Sequence, residues 1–338
     1  MNIYDISKKT GVSIATVSRV INGSSNVSEK TRSKVLAAIK ESGYTPNVFA
    51  RGLGLNTMKT IGIMCADSSD PYLARAVYYI EHGLRKNNYG SLLSCTGYDH
   101  DAKEKCMAML LSKRVDAVIL VGSNYIEKDD CLNDYIKNAA GTVPVMLVNG
   151  VLNAPNIYST VCDDRAAIYE VTESFIKSGK RDLLYLYNSH SYSGMKKLEG
   201  FRSAVKDAKI QLGEERINYI NSYNVTVNDA KKVVSDIAAK GIKFDGVITS
   251  DDIIAVSVLK YARDAGISVP DSLFVAGYNN FDISECCEPE LTSVDNKLET
   301  LCHHCVSTLM DVLSDNRSAP KRMVFSAEII ERETTKFI

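Results

Sequence analysis

Short apolar runs alternate with longer amphipathic stretches from about residue 60 to residue 278. Runs such as Thr60–Cys65 and Ala117–Val121 have the length and composition of buried strands. Stretches such as 71–87 and 253–265 place apolar residues at helical spacing. Repeated strand–helix units predict an α/β fold whose parallel sheets carry helices on both faces. The further predicted strands are Gly90–Cys95, 144–149, Leu183–Tyr187, 245–250 and 273–278, and the further helices are 102–113, 166–178, 196–208 and 229–240.

These units fall into two runs, which predicts two lobes with a cleft between them. Ligands of such folds bind at the carboxyl ends of the strands, so we expect a small-molecule site in the cleft. No glycine-rich phosphate loop of the GxGxxG or GxxxxGK[ST] type follows a strand, which disfavours a nucleotide-dependent enzyme.

The first 43 residues have a different pattern, which predicts three short helices. Each helix begins after a residue that commonly caps helices and is followed by a glycine. A tight turn containing Gly11 joins the first two, which is the helix-turn-helix arrangement. The helices are Ile3–Thr10, 14–22 and 29–42, with Asn2, Ser13 and Ser28 as the capping residues.

The second of these helices is amphipathic. Val17, Val20 and Ile21 form its apolar stripe at positions i, i+3 and i+4. Its opposite face carries polar groups that can bond to base edges or phosphates, and apolar groups that can touch a thymine methyl. A three-helix cap with no nucleic-acid role is the alternative. The outward residues are Ile14, Ala15, Ser18, Arg19 and Asn22, and the other predicted core residues are Ile6, Val12, Val35, Leu36 and Ile39.

The charge distribution supports a nucleic-acid role for this head. Residues 1–60 carry nine Lys or Arg and three Asp or Glu, a net charge of +6, whereas the remainder carries −7. A basic head on an acidic body suggests that the head meets a polyanion. A solvated charged face is the alternative.

Length and composition limit the class of protein further. At 338 residues the chain is long enough for two or three domains, and 45% hydrophobic with 24% charged residues excludes bulk disorder. No apolar run reaches the roughly 20 residues that a membrane helix needs. The N-terminus lacks an apolar signal core, so we expect a cytoplasmic protein.

The nine cysteines are scattered, which predicts reduced thiols rather than a disulfide framework. The Cys302-His-His-Cys305 sequence is the only metal-like cluster, but a tetrahedral site needs four converging ligands. We expect the Cys302 and Cys305 sulfurs to pack inside a helix. The histidines show no pattern of nucleophile and carboxylate around them. No metal, cofactor or catalytic residue is therefore predicted.

The N-terminal sequence resembles the DNA-binding head of the lactose-repressor (LacI/GalR) family of bacterial transcription regulators. The matching segments are 12–23 (VSIATVSRVING), 26–32 and 43–47. The resemblance implies that the second helix is a recognition helix in the major groove, with Ile14, Ala15 and Arg19 reading bases. It implies that phosphates are contacted by Asn2, Ser13, Thr16, Ser18, Asn22, Ser28, Thr31 and Tyr44.

Residues 46–53 resemble the hinge helix of the family. In the family two copies of this helix pair on DNA, enter the minor groove and wedge a base step open. The matching wedge residue here is Leu53, and Asn47 and Ala50 would also contact DNA. Gly52 and Gly54 each cost a helix about 1 kcal/mol relative to alanine, so we expect the hinge to form only on DNA. A simple linker is the compatible alternative.

The body resembles the effector domain of the same family, which is similar to periplasmic sugar-binding proteins. Matching sequences include 198–202 (LEGFR), 250–255 (SDDIIA) and 277–279 (GYN). The resemblance implies a helix-turn-helix domain over 1–45, a hinge over 46–59, and an effector and dimerisation domain over 60–338. Its N-lobe would comprise about 60–160 and 292–322, and its C-lobe about 161–291 and 323–338.

The resemblance also places effector-binding residues at the strand ends of the cleft. Two of them depart from the family pattern, which usually has arginine at Lys197 and aspartate at Asn279. Lysine lacks the planar fork of arginine, and asparagine lacks the charge of aspartate, so the usual sugar geometry is in doubt. The residues are Asp70, Tyr72, Ser123, Asn149, Lys197, Tyr223, Asp251 and Asn279.

The resemblance thus implies a dimeric, sequence-specific repressor of transcription that binds pseudo-palindromic operator DNA. A small polar effector, a sugar or sugar derivative, would control its operator affinity allosterically. The alternative is a small-molecule-binding protein or sugar-processing enzyme whose head is a dimerisation cap. The missing signal sequence opposes a periplasmic form of that alternative.

Overall fold

The computed structural model describes residues 2–21, 23–44, 57–220, 225–314 and 319–338. Its N-terminal head consists of α1 (Ile3–Thr10), α2 (Ile14–Ile21) and α3 (Glu29–Ser42). The Asn2 side chain accepts hydrogen bonds from the first turn of α1, and the Asp5 carboxylate accepts one from the Asn2 amide. This reciprocal capping confirms the predicted start of α1.

The head has a small core in which Ile6, Val17 and Val35 are fully buried. The predicted burial of Leu36 is wrong, because this side chain is 48% exposed. The buried stripe of α3 runs through Val35 and Ala38, and position 36 lies about 100° around the helix from position 35. An apolar residue next to a helical stripe is therefore outside the core here.

The first lobe is built on a six-stranded, all-parallel sheet with the order β11-β5-β4-β3-β1-β2. Helices α4 and α12 cover one face, and α5 and α6 cover the other. The elements are β1 (Thr60–Cys65), α4 (Pro71–Lys86), β2 (Gly90–Cys95), α5 (His100–Ser112), β3 (Ala117–Val121), α6 (Asp134–Ala140), β4 (Val145–Val148), β5 (Ile157–Cys162), α12 (Leu298–Leu313) and β11 (Arg322–Phe325).

The second lobe repeats this plan with the strand order β12-β10-β9-β8-β6-β7, in which only β12 is antiparallel to its neighbour. Helices α7 and α8 cover one face, and α9 and α10 the other. The elements are α7 (Asp164–Lys177), β6 (Leu183–Tyr187), α8 (Tyr192–Asp207), β7 (Ile217–Tyr219), α9 (Val227–Ala239), β8 (Gly246–Thr249), α10 (Asp252–Asp264), β9 (Phe274–Tyr278), α11 (Ile283–Cys286), β10 (Thr292–Asp295) and β12 (Glu328–Ile330).

Gly200 explains why α7 and α8 pack so closely. A Cβ atom at Gly200 would lie 2.3 Å from the carbonyl oxygen of Arg165 on α7. Only glycine permits this approach, since the obstructing atom is backbone and cannot rotate away. The glycine of the LEGFR sequence thus sets the position of α8, which carries Lys197 towards the cleft.

Over the described residues the chain crosses between the lobes three times, but two of the predicted boundaries are wrong. Strand β10 pairs with β9 in the second sheet, so residues 292–295 do not belong to the first lobe. Residues 323–325 do not belong to the second lobe, because β11 pairs with β5 in the first sheet and only β12 joins the second. A short apolar run does not specify which of two sheets it joins, since both offer an open edge.

In the part of the chain that the structure describes, no helix combines the length and the apolar character needed to cross a bilayer.

Candidate nucleic-acid interface and interlobe cleft

Helix α2 presents one face to solvent and buries the other. Ile14, Ala15 and Arg19 are exposed, whereas Val17 and Val20 are buried against α1 and α3. The predicted amphipathicity of this helix is therefore confirmed. An exposed guanidinium beside exposed apolar groups on a short helix matches the chemistry of major-groove readout, in which arginine bonds to guanine and small apolar groups touch thymine methyls.

Most of the predicted phosphate contacts lie at the amino-terminal ends of the three helices. Asn2 caps α1, Ser13 precedes α2, and Ser28 caps α3. The Thr16 hydroxyl is 2.9 Å from that of Ser13, and the Ser28 hydroxyl donates to that of Thr31 at 2.9 Å. Amino-terminal helix ends favour anions, because their amide groups point outward with a positive partial charge. Ser18 and Tyr44 are half-buried, and Asn22, Asn47, Ala50 and Leu53 lie outside the described residues.

A cavity of about 560 Å³ separates the two lobes at the carboxyl ends of their strands. Seven of the eight predicted effector residues line it, and the eighth, Tyr223, lies outside the described residues. The resemblance therefore indicated residues that the fold brings together around one cavity. The seven are Asp70, Tyr72, Ser123, Asn149, Lys197, Asp251 and Asn279.

Lys197 is the buried cation at the floor of the cleft. Its side chain is almost fully buried, and its Nζ donates to the carbonyl oxygen of Ser250 at 3.0 Å and lies 3.5 Å from the ring centroid of Tyr278. Burial lowers the pKa of Lys197, while the nearby carboxylates of Asp164 and Asp251 act to raise it. An ammonium held among carboxylates, a carbonyl and a ring face is tolerated in a buried site.

Two predicted carboxylates begin helices at the cleft wall. Asp251 caps α10, because one carboxylate oxygen accepts a hydrogen bond from the backbone amide of Ile254 at 2.9 Å. The other oxygen accepts one from the side-chain amide of Asn188 at 2.9 Å. Asp70 caps α4 by accepting from the Leu73 amide at 2.9 Å. Burial raises the pKa of both carboxyl groups.

Two asparagines follow strands in the left-handed backbone region. Asn149 follows β4 with a φ of 62°, and Asn279 follows β9 with a φ of 99°. Asparagine tolerates this region better than most residues, which suits it to a sharp strand end. The Asn279 Oδ1 accepts from the Asn296 side chain at 2.9 Å, so it presents its amide group in a fixed orientation.

Asp252 is a cleft residue that was missed from the sequence. It is fully buried, and its oxygens accept from the Phe281 amide at 2.8 Å and from the Ser293 hydroxyl at 2.6 Å. Burial raises the pKa of Asp252 to about 7. A Cβ at Gly277 would lie 2.2 Å from Asp252 Oδ1, so this glycine gives the carboxylate its space. The signal that could have found Asp252 is the second acidic residue of the SDDIIA sequence.

Side chains of the two lobes also contact each other directly across the cleft. The Ser123 hydroxyl, after β3, donates to that of Ser191, which caps α8, at 2.9 Å. Arg75 on α4 donates to the Asp282 carboxylate at 3.1 and 3.3 Å. These two contacts join the first lobe to the second.

We expect a double-mutant cycle on Arg75→Ala and Asp282→Ala to give a coupling energy of about 0.5 kcal/mol. The pair is partly exposed, and pairs of this kind are weak and screened by salt. Urea denaturation of the four proteins at low and high salt measures the coupling. The same cycle on Arg85 and Glu81, a pair within α4, provides a control from one lobe. A zero coupling for Arg75 and Asp282 at low salt would contradict their pairing across the cleft.

The packing expected for the cysteine cluster on α12 is confirmed. Cys302 and Cys305 are both fully buried in the core between α12 and the first sheet. Among the described residues, no group of three His, Cys, Asp or Glu side chains is arranged to hold a metal ion.

Comparison with known proteins agrees with this architecture. The sequence profile of bacterial regulatory proteins of the lacI family matches residues 2–47, and that of the periplasmic binding protein-like domain matches residues 172–335. The chain is 51% identical to an HTH-type transcriptional regulator of Lachnoclostridium phytofermentans, with full coverage of both chains. The chain therefore belongs to the lacI family of bacterial regulatory proteins.

Two solved structures share the whole fold. A transcriptional regulator CelR–cellobiose complex has a TM-score of 0.72 at 25% identity, with 99% of each chain covered. A lac repressor dimer bound to operator and the anti-inducer ONPF has a TM-score of 0.88 at 22% identity, covering 99% of this chain and 98% of that one. The relatives are transcriptional regulators and not enzymes. This protein is a DNA-binding transcriptional regulator with a domain of the effector-binding type.

Proposed function

We propose that this regulator is a dimeric repressor that binds a pseudo-palindromic operator in the cytoplasm and responds to a small polar effector in the interlobe cleft. The observation that carries the proposal is the combination of an exposed recognition face on α2 with a polar cavity between the lobes. Residues 1–45 would bind DNA, 46–59 would form the hinge, and 60–338 would bind the effector and dimerise.

The chemistry of the cleft favours a sugar or a related polyol. Asp70 and Asp251 offer carboxylate oxygens to hydroxyl groups, and Asn149 and Asn279 offer amides. Tyr98 and Phe281 add ring surface to the lining. Polar groups that converge beside aromatic faces suit a polyhydroxylated ring. Cellobiose in the CelR complex is a ligand of this class.

Dimerisation is supported by the exposed edge of the first sheet. Strand β2 is an edge strand, and Leu92 and Leu93 on it are exposed, as is Tyr78 on α4, which covers that sheet. Exposed leucines on an open edge invite pairing with another chain. Two heads are also needed on physical grounds, since one helix-turn-helix contacts too little DNA for high specificity.

Allosteric control would act through the angle between the lobes. An effector in the cleft touches both lobes, so it favours the lobe arrangement in which it makes more contacts. The first lobes of the two chains would then move relative to each other, which would change the distance between the two hinges. In this proposal Leu53 acts as the wedge in that step. Residues 45–56 lie outside the described residues.

The experiment that tests the DNA-binding role is selection of duplexes from a random pool, followed by affinity measurements at several salt concentrations. We expect an enriched pseudo-palindrome, two protein chains per duplex, and an affinity that falls linearly on a log–log plot with slope about −0.9 per phosphate contacted. Weak binding to all duplexes with no enriched sequence would favour the alternative, a small-molecule-binding protein with a structural head.

Replacing Arg19 with alanine should relax base preference at one position of each half-site by about 1–3 kcal/mol. Its guanidinium is exposed on α2, where it can bond to a base edge through two donors. Arg19→Lys keeps the charge but loses this fork, so it should recover general affinity without recovering the preference. Affinities for the selected duplex and its single-base variants measure both effects. A uniform loss over all sequences would make Arg19 a phosphate contact.

A further inference from the structure

Cys65 and Cys95 lie side by side at the carboxyl ends of β1 and β2. The strands are parallel neighbours that pair in register, with Cys65 opposite Cys95. Paired residues of neighbouring strands point to the same face, and the two sulfur atoms are 3.8 Å apart. A disulfide needs about 2.05 Å between its sulfurs and about 4.4–6.8 Å between its Cα atoms. Since paired strands lie about 4.8 Å apart, the backbone already meets this requirement.

The two thiols differ in their access to solvent. In the single chain Cys95 is exposed because β2 is an edge strand, whereas Cys65 is fully buried. Burial raises the pKa of Cys65 to about 12, and the neighbouring Cys95 adds to the effect. Cys65 is therefore a protonated thiol that an oxidant in solution does not reach. Cys95 is the thiol that meets such an oxidant first.

We propose that Cys65 and Cys95 are a reversible oxidation site that forms an intramolecular disulfide in the presence of a peroxide. The Cys95 thiolate attacks the O–O bond and becomes a sulfenic acid, and the departing hydroxide is protonated to water. The Cys65 sulfur then attacks the Cys95 sulfur, the S–O bond breaks, and the thiol proton leaves with that oxygen as a second water. Two thiols are oxidised and one peroxide is reduced to two waters. A dithiol reductant restores both thiols by thiol–disulfide exchange and is itself oxidised to a disulfide.

A disulfide between Cys65 and Cys95 would restrain one wall of the cleft. Immediately beyond the two cysteines, the Thr96 amide donates to the Cys65 carbonyl at 2.9 Å and the Gly97 amide donates to that of Ala66 at 2.9 Å. The chain after β1 leads to Asp70, and the chain after β2 leads to Tyr98, both of which line the cavity. A covalent bond here would fasten the two segments to each other. This consequence rests on the proposed function of the cleft, whereas the disulfide does not.

Peptide mapping of the full-length protein tests the disulfide directly. The protein is treated with hydrogen peroxide, its free thiols are blocked with N-ethylmaleimide, and it is digested with trypsin. Cys65 and Cys95 then lie alone in peptides 60–75 and 87–103. We expect these peptides to be joined with the loss of two hydrogen atoms, and to separate after dithiothreitol. Cys95 oxidised without a bond to Cys65, or a Cys95–Cys95 bond between chains, would overturn the proposal.

Two variants make the result specific to this pair. Cys95→Ser should abolish the joined peptide without disturbing the core, because the side chain is exposed. Cys131→Ser removes an exposed thiol from a different surface and should leave the yield of the joined peptide unchanged. A yield that falls equally in both variants would show unspecific oxidation, and the assignment would then be wrong.

Hydrogen exchange tests the bracing of the cleft wall. In the oxidised protein we expect the amides of 66–70 and 96–98 to exchange more slowly than in the reduced protein, and the difference to vanish in Cys95→Ser. Unchanged exchange in the oxidised wild-type protein would refute the bracing. Neither measurement uses DNA or an effector, so their outcome is independent of operator and effector binding. Cys95 shares strand β2 with the leucines of the proposed dimer edge, so peptide mapping over a dilution series separates a thiol covered by a second chain, whose yield rises on dilution, from an unreactive pair, whose yield stays at zero and overturns the proposal.

Discussion

Replacing Lys197 with methionine is expected to lower the free energy of unfolding by about 3–5 kcal/mol. The lysine is almost fully buried, and the carboxyl groups of Asp164 and Asp251 lie close enough to act on its pKa. Methionine fills a similar volume but carries no charge. The two carboxyl groups would then be left in the interior without the nearby positive charge, and an uncompensated buried charge is strongly destabilising.

The loss should be smaller in acid than at neutral pH. Burial already raises the pKa of Asp164 and of Asp251, and Lys197 opposes that rise in both. Without the lysine both pKa values rise further, so the variant takes up protons as the pH falls. Protonation removes the charges of Asp164 and Asp251, so the difference in the free energy of unfolding between variant and wild type becomes smaller. Urea denaturation midpoints between about pH 5 and pH 8 measure this trend.

Lys196→Met provides the matched control for Lys197→Met. Lys196 is the neighbouring residue on α8, and it forms an exposed pair with Glu199. Surface pairs of this kind contribute about 0–1 kcal/mol, so the control should unfold close to wild type. Equal effects of the two substitutions would mean that Lys197 does not compensate the buried carboxylates.

The local elements were predictable because their signals are local. Asn2 and Ser28 cap helices where the sequence placed them, and Gly11 and Gly43 end helices in the left-handed conformation. The buried strands Thr60–Cys65 and Leu183–Tyr187 were found at their full length, because runs of buried apolar residues are bounded by polar turns. Each of these features depends on residues within one or two turns of chain.

The errors concern relations between distant segments. The lobe boundary predicted between residues 322 and 323 falls inside β11, because nothing local to the sequence says that β11 joins the first sheet and β12 the second. Strand β5 was missed because the polar Ser159 and Thr160 interrupt its apolar pattern, although both are buried. Their burial depends on neighbours far away in sequence, which a window of residues does not contain.

The cleft shows what the resemblance added and what it left out. It brought Asp70, Lys197 and Asn279 together from segments about 80 to 210 residues apart, which no periodicity could do. It did not indicate that the carboxyl group of Asp164 lies near enough to Lys197 to raise the pKa of the lysine, or that Asp252 is buried beside it. Those features depend on how deeply each side chain is buried in the fold, and they decide which groups face a ligand.

Replacing Asp252 with asparagine should remove much of the pH dependence of folding between about pH 4 and pH 7. Folding raises the pKa of this carboxyl from 3.8 to about 7. A raised pKa means that the protonated form fits the folded state better, so the contribution of this group to stability is greatest below pH 3.8 and is lost as the pH rises through 7. Once the group is ionised in both states, the penalty amounts to about 4 kcal/mol. Asparagine is neutral throughout and avoids it.

The structure indicates that asparagine fits at this position. Its Oδ1 can accept from the Phe281 amide, and its Nδ2 can donate to the Ser293 hydroxyl, which replaces both bonds of the carboxylate. The relevant observable is the difference in unfolding free energy between variant and wild type, measured by urea denaturation from pH 4 to pH 8. Other groups titrate in both proteins, including Asp251 and Lys197 beside this site, and they largely cancel in the difference.

The free energy of unfolding of Asp252→Asn should increase relative to that of the wild type as the pH rises, and the difference should level off above pH 7. It bears on the cleft, because the Phe281 amide held by Asp252 is next to Asp282, which pairs with Arg75 in the other lobe. The charge on Asp252 therefore influences a segment that contacts both the cavity and the opposite lobe. A difference that is constant with pH would show that the carboxyl has an ordinary pKa in the folded protein, and that it does not couple proton uptake to this segment.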